Sequence, residues 1–467
     1  MKKLLLIALF IPMIGWGQLT INITYAYNLT PLTDTLFLAG DFNSWAANSL
    51  AYRFTRTAFN VFQITINPPA GALQYKVTRG AWASVEADAQ GASISNRTYT
   101  YSGTASTINI QINGWADIGG NGHTTAASNV YILDMNFPIP QLNRTRRIWV
   151  YLPPDYQTSA KNYPVMYMHD GQNLFDQYTS AFGEWQVDES LNTLFSQGDY
   201  GIIIVGIDNS SARMDEYSPW VNTSYGGGQG DEYTSWIVNN LKPAIDSKFR
   251  TLPQPEFTGI AGSSLGGLIS QYGGIQYPQT FKKIGLLSPA FWYTDTIFSQ
   301  IHALGVMPDQ KFYFVSGTTE DATMVPLMVN MKDSLISKGL DTSRVRLKTC
   351  VDGAHSEWFW AREFPMCYQY LFAGLNFTTA VNTLPAAKEP GFEIYPNPAS
   401  DKIVLRTDNG ETLWNIQLLN INGELLLTQH IKGNEVLNTA SLANGIYLLK
   451  GISAKGTVIT KKLVLQH

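Results

Sequence analysis

The sequence predicts a multidomain protein with an N-terminal antiparallel β-sandwich, a central α/β domain and a small C-terminal β-sandwich. Its 467 residues exceed what one hydrophobic core usually organises. Short alternating runs broken by Gly, Asn and Pro occupy residues 19–115 and 392–467, a pattern typical of antiparallel strands. Over residues 130–377, strand-like and helix-like stretches alternate instead. This alternation predicts a mainly parallel sheet with helices on both faces.

The first 17 residues have the composition of an export signal. Two lysines at positions 2 and 3 precede an apolar run over residues 4–16, and Gly15 and Gly17 stand where small residues precede a cleavage site. We therefore predict that the mature chain starts at Gln18. Because no later apolar run is long enough to span a bilayer, we expect a mature protein that is soluble or anchored by other means.

Charge and cysteine content exclude some classes of function. Only 15% of residues are charged and the formal net charge is −4, which argues against nucleic acid as a partner. Cys350 and Cys367 are the only cysteines. They could pair in an oxidising compartment or remain as buried thiols, but two cysteines cannot form a zinc site by themselves.

Three stretches of the N-terminal segment, residues 19–115, carry aromatic and polar residues suited to a sugar-binding surface. They are GDFNSW ending at Trp45, QYKVTRGAW ending at Trp82, and SNRTYT at residues 95–100. These stretches resemble the family 20 carbohydrate-binding, or starch-binding, modules. The resemblance implies that Trp45 and Trp82 stack on glucose rings, while Lys76 and Asn96 bond the hydroxyl groups. Burial of both tryptophans in the core is the alternative, and a long spacing between positions 82 and 96 leaves the sugar specificity open.

Two polar or loose stretches predict linkers. Residues 116–129, with GGNGHTT near the centre, would join the N-terminal module to the central domain. Residues 378–391 would join the central domain to the C-terminal one. His123, in the first linker, is expected to be solvated.

The central domain contains eight strand-like stretches. A predicted hairpin comes first and six further strands follow: VYILDM with RRIWVYLP, then YPVMYMHD, GIIIVGID, FTGIAG, KKIGLLSP, KFYFVSG and VRLKTC. Between the fourth and fifth of these, residues 231–249 place Ile237, Leu241, Ile245 and Phe249 on one face. This spacing predicts a core-facing helix, which Pro243 would kink.

The stretch FTGIAGSSLGGLISQYG, at residues 257–273, predicts a strand, a sharp turn and a helix. Gly262, Ser264 and Gly266 form a G-x-S-x-G, in which a serine on a strained strand-to-helix turn exposes its hydroxyl. Small residues on either side let the backbone bend tightly. Ser264 is therefore the candidate nucleophile, with a helix-capping serine as the alternative. A serine elbow after the fifth strand of such a sheet is the pattern of an α/β hydrolase.

Several motifs of the central domain carry a more specific resemblance. HDGQNLFD, GEWQVDE, GIDN followed by EYSPW, and AGSSLGGLIS resemble the esterase D and enterochelin-esterase group of α/β hydrolases, together with feruloyl esterases and antigen 85 acyltransferases. The resemblance covers the whole segment. It implies ester hydrolysis or acyl transfer by a serine triad and leaves the substrate open.

Chain order selects the candidate base. An α/β hydrolase places its acid and then its histidine after the nucleophile, which leaves His302, His355, His430 and His467. The first precedes any plausible acid turn, and the last two lie in the C-terminal segment. His355, in CVDGAHSEWFW, remains, and it also fits the G-x-H-x-E pattern of the resembled group. We predict it to be the general base, with a helix-capping role as the alternative.

The acid of the triad should follow the strand KFYFVSG. The stretch SGTTEDATM offers Glu320 and Asp321 there, and Asp352 lies beside the histidine. Alignment with the GTxD/E turn of the resembled group favours Glu320, with Asp321 second and Asp352 third. The acid would hold the imidazole in the correct tautomer.

Two backbone N–H groups should face the oxyanion. One belongs to Leu265, the residue after the nucleophile. In the resembled group the other belongs to the residue after the D-G pair, which here is Gln172. His169 and Asp170 are expected to shape this loop rather than react. Trp185, from the G-E-W motif, is expected to wall the substrate cleft, although a buried core tryptophan is nearly as well supported.

The C-terminal segment, residues 392–467, opens with YPNPASD and includes G-I-Y near its end. These features resemble the C-terminal sorting domains of type IX secretion. The resemblance implies a partner in the secretion machinery and passage across the outer membrane of a Gram-negative bacterium. A second binding module is the alternative.

Together these patterns predict a secreted serine carboxylic-ester hydrolase that acts on acetyl or feruloyl esters of carbohydrates, with polysaccharide as a partner of the N-terminal module. Hydrolysis of siderophore or other small organic esters is the first alternative. A surface glycan-binding protein without catalysis is the second. No metal or organic cofactor is implied, because serine acyl chemistry supplies its own nucleophile and base.

Overall fold

A computed structural model describes residues 17–118, 124–372, 375, 392–395, 397, 399–407, 414–420, 424–431, 434–453 and 458–466. The chain divides into two compact units, Met1–Thr378 and Thr379–His467. Three sequence predictions fall outside the described residues. They are the export signal apart from Gly17, the second linker, and His123 with its neighbours 119–122.

Nine strands build the N-terminal module. They are β1 Leu19–Ala26, β2 Phe37–Gly40, β3 Thr55–Ala58, β4 Val61–Ile66, β5 Gly71–Thr78, β6 Glu86–Ala87, β7 Arg97–Tyr101, β8 Ser106–Ile112 and β9 Gly114–Trp115. The sheets have the orders β3-β4-β1-β8, β2-β5-β7 and β6-β9. Buried residues alternate with exposed ones along β4, as expected for a sheet with one face on a core.

One pairing in this module departs from the antiparallel prediction. β1 pairs with β4 antiparallel but with β8 parallel. Parallel neighbours need a long connection, and the 79 residues from Tyr27 to Ala105 supply it. Alternation of apolar and polar residues is the same in both pairings, so the sequence pattern could not distinguish them.

The central domain contains one eight-stranded sheet. Its strands are β10 Val130–Ile139, β11 Arg144–Tyr151, β12 Val165–His169, β13 Ile203–Ile207, β14 Thr258–Ser263, β15 Lys283–Leu287, β16 Lys311–Gly317 and β17 Val345–Cys350. They are arranged in the order β10-β11-β13-β12-β14-β15-β16-β17. The first two pairings are antiparallel and the other five are parallel. The eight strands correspond to the eight stretches singled out in the sequence.

Helices cover both faces of this sheet. They are α1 Val187–Ser196, α2 Arg213–Glu216, α3 Gly230–Trp236, α4 Lys242–Lys248, α5 Leu265–Gln276, α6 Thr296–Leu304, α7 Met324–Ser337 and α8 Glu357–Phe372. Every residue of β12 to β15 is buried, which explains why these strands read as continuous apolar runs rather than alternating ones.

The helix predicted over residues 231–249 is interrupted. A π-helical segment at Ile237–Leu241 lies between α3 and α4. Pro243 stands at the start of α4, where its missing N–H leaves one hydrogen bond unmade, and a wider turn accommodates this. The four apolar residues predicted to face the core are all buried.

The N-terminal module packs directly on the central domain. The backbone N–H of Leu32 donates to the Ile132 carbonyl at 2.9 Å, and the Asn28 side chain donates to the Val130 carbonyl at 3.1 Å. One buried apolar cluster includes strand residues of the module and of the central sheet. The two parts therefore share a core, and this core fixes their mutual orientation.

The described residues of the C-terminal unit form seven strands: β18 Phe392–Tyr395, β19 Lys402–Thr407, β20 Trp414–Leu419, β21 Leu425–Ile431, β22 Asn434–Asn438, β23 Gly445–Ser453 and β24 Val458–Leu465. They form sheets of order β18-β19-β22 and β21-β20-β23-β24. One buried cluster contains residues from both sheets, among them Leu405 and Trp414. This two-sheet arrangement is consistent with the small sandwich predicted from the sequence.

Two general features complete the fold. Cys350 and Cys367 are both buried free thiols. Among the described helices, none combines the length and the hydropathy needed to cross a bilayer.

Candidate active site

Ser264 lies at a sharp turn between the central strand β14 and helix α5. Its backbone has φ 56° and ψ −123°, a conformation that a non-glycine residue rarely adopts. A Cβ added at Gly262 would lie 2.7 Å from the backbone of Gly266, so the turn requires glycine there. Hydrogen bonds to β15 and the segment beyond it hold the turn: Ser264 N donates to the Leu287 carbonyl at 3.0 Å, and Ala290 N donates to the Ser264 carbonyl at 2.9 Å.

His355 lies on the loop between β17 and α8. Its Nδ1 is 2.8 Å from Glu320 Oε2. Since Glu320 accepts at Nδ1, the other ring nitrogen, Nε2, remains for a serine hydroxyl. In this geometry the carboxylate can fix the tautomer of the imidazole.

Glu320 is held by the last residue of β16 and by a residue just beyond β15. Its side chain is 1% exposed. Oε1 accepts from Gly317 N at 2.5 Å and from the Ser288 hydroxyl at 2.9 Å. Ser288 in turn accepts from Trp360 Nε1 at 3.0 Å, and the Trp360 ring packs edge-on against His355 with centroids 5.1 Å apart. The carboxylate and the imidazole are therefore oriented by one continuous network.

The two other candidate acids lie elsewhere. Asp321 Oδ1 accepts from the backbone N–H and the hydroxyl of Thr323, which is a local turn. Asp352 forms an ion pair with Arg362, with 2.5 Å between Oδ2 and Nη1. In these contacts neither Asp321 nor Asp352 bonds His355.

A cavity of about 480 Å³ opens above the serine turn. It lies at the carboxyl ends of the parallel strands, where sites in such sheets form. Its lining residues are Asp170, Gln172, Asn173, Thr179, Ala181, Phe182, Asn209, Arg213, Ser263, Ser264, His355, Glu357 and Trp360. Ser264 and His355 thus face the same space.

Gln172, one of the two predicted oxyanion donors, lies in a short 3₁₀ turn at Gly171–Asn173, which Asp170 separates from the end of β12. Its carbonyl accepts from the Thr179 hydroxyl at 2.7 Å, and its Oε1 accepts from Asn209 N at 3.0 Å. A Cβ at Gly171 would lie 2.7 Å from the backbone of Gly206, so this turn packs tightly against β13. Leu265, the other donor, is the first residue of α5.

An ion pair fixes the residue before this turn. Asp170 has φ 57° and receives two hydrogen bonds from Arg213, at 2.7 and 2.9 Å, and one from the Asn209 amide at 2.6 Å. Burial by itself raises the pKa of this carboxyl, but the Arg213 guanidinium and these hydrogen bonds hold it below its ordinary value. Asp170 is therefore a fixed anion that anchors the turn.

His169 precedes the ion pair and is buried. Burial lowers its pKa to about 4, and its Nδ1 is 3.0 Å from the Tyr233 hydroxyl. The imidazole is therefore neutral at neutral pH. His169 does not line the cavity, in keeping with the expectation that it shapes the loop.

Trp185 was expected to wall the cleft, but it does not line the cavity. It is 2% exposed and packs on Trp360 with centroids 5.7 Å apart. Trp360 faces the cavity in its place. Trp185 therefore supports the wall from behind.

The four residues assigned to sugar binding lie on the N-terminal module. Trp45 and Trp82 have ring centroids 6.1 Å apart with planes inclined by 41°, and Trp82 is 46% exposed. Asn96 is exposed and donates to Gln74 Oε1 at 3.0 Å. Lys76 is buried, and its ammonium donates to the Ile94 carbonyl. Its present contact is with the backbone of the module.

Sequence reasoning missed Arg213, Ser288, Asn209 and Trp360. Ser288 and Asn209 follow the carboxyl ends of β15 and β13, and polar residues at those points are a signal that could have found them. Arg213 and Trp360 carry no such signal, because each lies within a helix. Their roles depend on which turn each helix faces.

Two known families match separate parts of the chain. Residues 139–361 match the family described as "Putative esterase", and residues 393–466 match the "Secretion system C-terminal sorting domain". The first match contains Ser264, Glu320 and His355. The second indicates a secreted or cell-surface protein.

Three individual proteins are similar to parts of the chain. The uncharacterized protein YbbA of Bacillus subtilis is 29% identical over 252 residues, which are 50% of this chain and 95% of YbbA. An alpha-amylase of Niallia circulans is 46% identical over 89 residues, which are 19% of this chain and 7% of that enzyme. The crystal structure of an IroE-like serine hydrolase from Shewanella oneidensis has a TM-score of 0.41 and 21% identity, covering 50% of this chain and 77% of that one.

Proposed function

We propose that this carboxylic ester hydrolase cleaves acetyl or feruloyl esters of carbohydrates with Ser264, His355 and Glu320 as its triad. The 2.8 Å contact between His355 Nδ1 and Glu320 is the observation that carries the proposal. It leaves Nε2 of the same ring for the serine, and both residues line one cavity.

The reaction would proceed in two halves. Ser264 Oγ attacks the ester carbonyl carbon and passes its proton to His355 Nε2, while Glu320 stabilises the imidazolium. The backbone N–H groups of Gln172 and Leu265 donate to the oxyanion. His355 then gives the proton to the alcohol oxygen as the C–O bond breaks. Water repeats the sequence on the acyl-enzyme and releases the acid.

The carbohydrate part of the proposal is supported by the N-terminal module. The 89-residue similarity to an alpha-amylase is consistent with a starch-binding module in this chain. Trp45 and Trp82 are neighbours, and the exposed face of Trp82 could cover the apolar face of a sugar ring, with Asn96 as a hydrogen-bonding group. Lys76 would position the Ile94 backbone rather than touch the sugar. A module that retains polysaccharide raises the local concentration of ester.

The C-terminal match supports export through type IX secretion across the outer membrane of a Gram-negative bacterium. The secretion machinery would then be a transient partner of the C-terminal unit. The predicted signal at the start of the chain is consistent with this route.

Catalysis is tested with chromogenic acetate and butyrate esters on the wild type and on Ser264→Ala. Loss of the nucleophile should lower kcat by at least about 10³-fold, because only binding and the oxyanion donors remain. Equal rates for the two proteins would falsify the triad proposal.

Polysaccharide binding is tested separately, by pull-down with starch, xylan and cellulose. Trp82→Ala should release the protein from whichever polymer retains the wild type, since the exposed stacking face is lost. The exposed Trp358, on the central domain, gives a matched control as Trp358→Ala. Unchanged retention of Trp82→Ala would remove this residue from the binding site.

A further inference from the structure

A second cavity also borders His355. It has a volume of about 470 Å³ and is lined by Trp292, Glu320, Asp321, Thr323, Met324 and His355. His355 is the one residue named in the linings of both this cavity and the one above Ser264. His355 therefore borders two cavities, and one of them contains the nucleophile.

The second cavity presents an aromatic face. Trp292 is 47% exposed, although it belongs to a turn, Phe291–Tyr293, whose two other members are buried. Tyr225 packs edge-on against it, with centroids 5.6 Å apart and planes at 82°. A large exposed indole held by a second ring is a ready stacking surface.

Hydrogen bonds fix the loop that supports this face. The Asn222 amide donates to the Tyr293 carbonyl at 2.8 Å, and the Tyr293 hydroxyl donates to the Gly226 carbonyl at 2.9 Å. The loop at residues 222–226 is thus fastened to the turn that carries Trp292. The indole is held in place before any ligand arrives.

Polar groups line the rest of the cavity. Asp321 and Thr323 are exposed at its edge, and Asp321 offers an ionised carboxylate, because hydrogen bonds from Thr323 lower its pKa. An aromatic face beside carboxylate and hydroxyl groups matches a sugar ring, which has one apolar face and a rim of hydroxyls. An acyl chain offers no hydroxyl groups to these polar side chains.

Reaction chemistry decides which part of the ester reaches this space. His355 Nε2 must deliver its proton to the alcohol oxygen as the C–O bond to the acyl carbon breaks. The alcohol therefore departs on the histidine side, while the acyl group stays bonded to Ser264. A cavity that adjoins His355 but lacks the serine is suited to the alcohol.

We propose that Trp292, with Asp321 and Thr323, forms the site for the sugar that carries the ester and leaves as the alcohol. This inference rests on the proposed function and extends it to a defined subsite. The residues of the N-terminal module would retain polymer, whereas this subsite would select the sugar at the scissile bond.

The test compares two esters of the same acid: a feruloylated arabinose and methyl ferulate. Trp292→Ala should lower kcat/KM for the sugar ester about five- to tenfold more than for the methyl ester, because methanol has no ring to stack. Trp292→Phe should restore part of the preference. Trp358→Ala provides a matched control, since Trp358 is 52% exposed and lines neither cavity.

Three results would contradict the subsite or the proposed function. An equal loss on both esters, or an unchanged ratio of the two kcat/KM values, would overturn the subsite. If the loss of kcat/KM in Trp292→Ala changed when acetyl replaced feruloyl, and did not change with the alcohol, Trp292 would be assigned to the acyl group. That result would also overturn the subsite. The proposed function itself would be overturned if the wild type hydrolysed neither ester and Ser264→Ala lost no activity on the chromogenic esters.

Discussion

At the scale of single residues, the proposed chemistry depends on how Glu320 holds His355. The carboxylate receives a backbone N–H and the Ser288 hydroxyl on one oxygen, which leaves the other for the imidazole. Asp321 is adjacent in sequence, but its side chain is committed to its own turn. The adjacent carboxylates thus make different contacts, because only Glu320 reaches the ring.

Glu320→Gln should lower kcat about 10³- to 10⁴-fold with little change in KM. The amide oxygen can still accept from Gly317 and Ser288, so the amide N–H₂ would face His355 Nδ1. That contact favours the tautomer with the proton on Nε2, which cannot accept a proton from Ser264. Steady-state kinetics on a methyl ester measure the effect.

Asp352→Asn is the matched control for this substitution, because Asp352 is also near His355 in sequence but pairs with Arg362. It should retain activity close to wild type. If Asp321→Asn had the larger loss on the methyl ester, the acid role would pass to that residue.

At the scale of elements, the turn at residues 171–173 is positioned by groups from its neighbours. Asp170 and Gln172 are bonded to Arg213 and Asn209, which lie beyond the end of β13. Two parallel strands therefore share one polar network at their carboxyl ends. This network sets where the Gln172 N–H points.

Arg213→Lys should lower kcat/KM on a methyl ester about tenfold or more. A lysine keeps the positive charge but cannot make the two-pronged contact with Asp170, so the turn loses its fixed geometry. The midpoint of thermal unfolding should change much less than it does for loss of a core residue, since Arg213 lies at the cavity wall.

Arg147→Lys serves as the control for this substitution. Arg147 bonds Asp208 through Nε at 2.7 Å and does not line the cavity. Its replacement should leave kcat/KM near wild type. Equal losses in the two variants would mean that Arg213 acts on general stability rather than on the turn.

At the scale of the whole molecule, residues 124–129 fasten the N-terminal module to the central domain. Ala127 N donates to Asp188 Oδ2 at 2.7 Å, and the Thr125 hydroxyl lies 3.1 Å from Glu184. Burial raises the pKa of Asp188 to about 9, and the charge of the neighbouring Glu189 adds to this. Burial also raises the pKa of Glu184 to about 7. Glu184, Asp188 and Glu189 thus lie close together where residues 124–129 meet the central domain.

Asp188→Asn should increase the free energy of unfolding more at pH 8 than at pH 5. In the unfolded chain Asp188 loses its proton near pH 4, whereas the folded protein keeps it to about pH 9. The folded state thus binds the extra proton in this window, and stability falls as pH rises. Asparagine removes that dependence while its amide oxygen still accepts from Ala127.

Unfolding midpoints at the two pH values test this prediction, with the exposed Asp333→Asn as control. Asp333 should show no difference between pH 5 and pH 8. A gain for Asp188→Asn that is the same at both values would show that the carboxyl is not protonated in the folded protein.

The sequence by itself determined the order and type of the central strands, the serine turn and the short set of groups that could complete a triad. Strand periodicity, glycine spacing and chain order can be read from the sequence, and each can be recognised without knowledge of packing. The same local patterns gave the two flanking β domains. They could not give the parallel pairing of β1 with β8, because alternation is identical in either direction.

Only the tertiary structure decided which groups meet. Glu320 and Asp321 differ by one position, and the choice depends on where β16 ends relative to His355. Arg213, Ser288 and Trp360 reach the site from separate elements, and the exposed Trp292 packs against Tyr225 from a distant loop. Such contacts join residues far apart in the chain, so they follow from packing and have no signature in the local sequence.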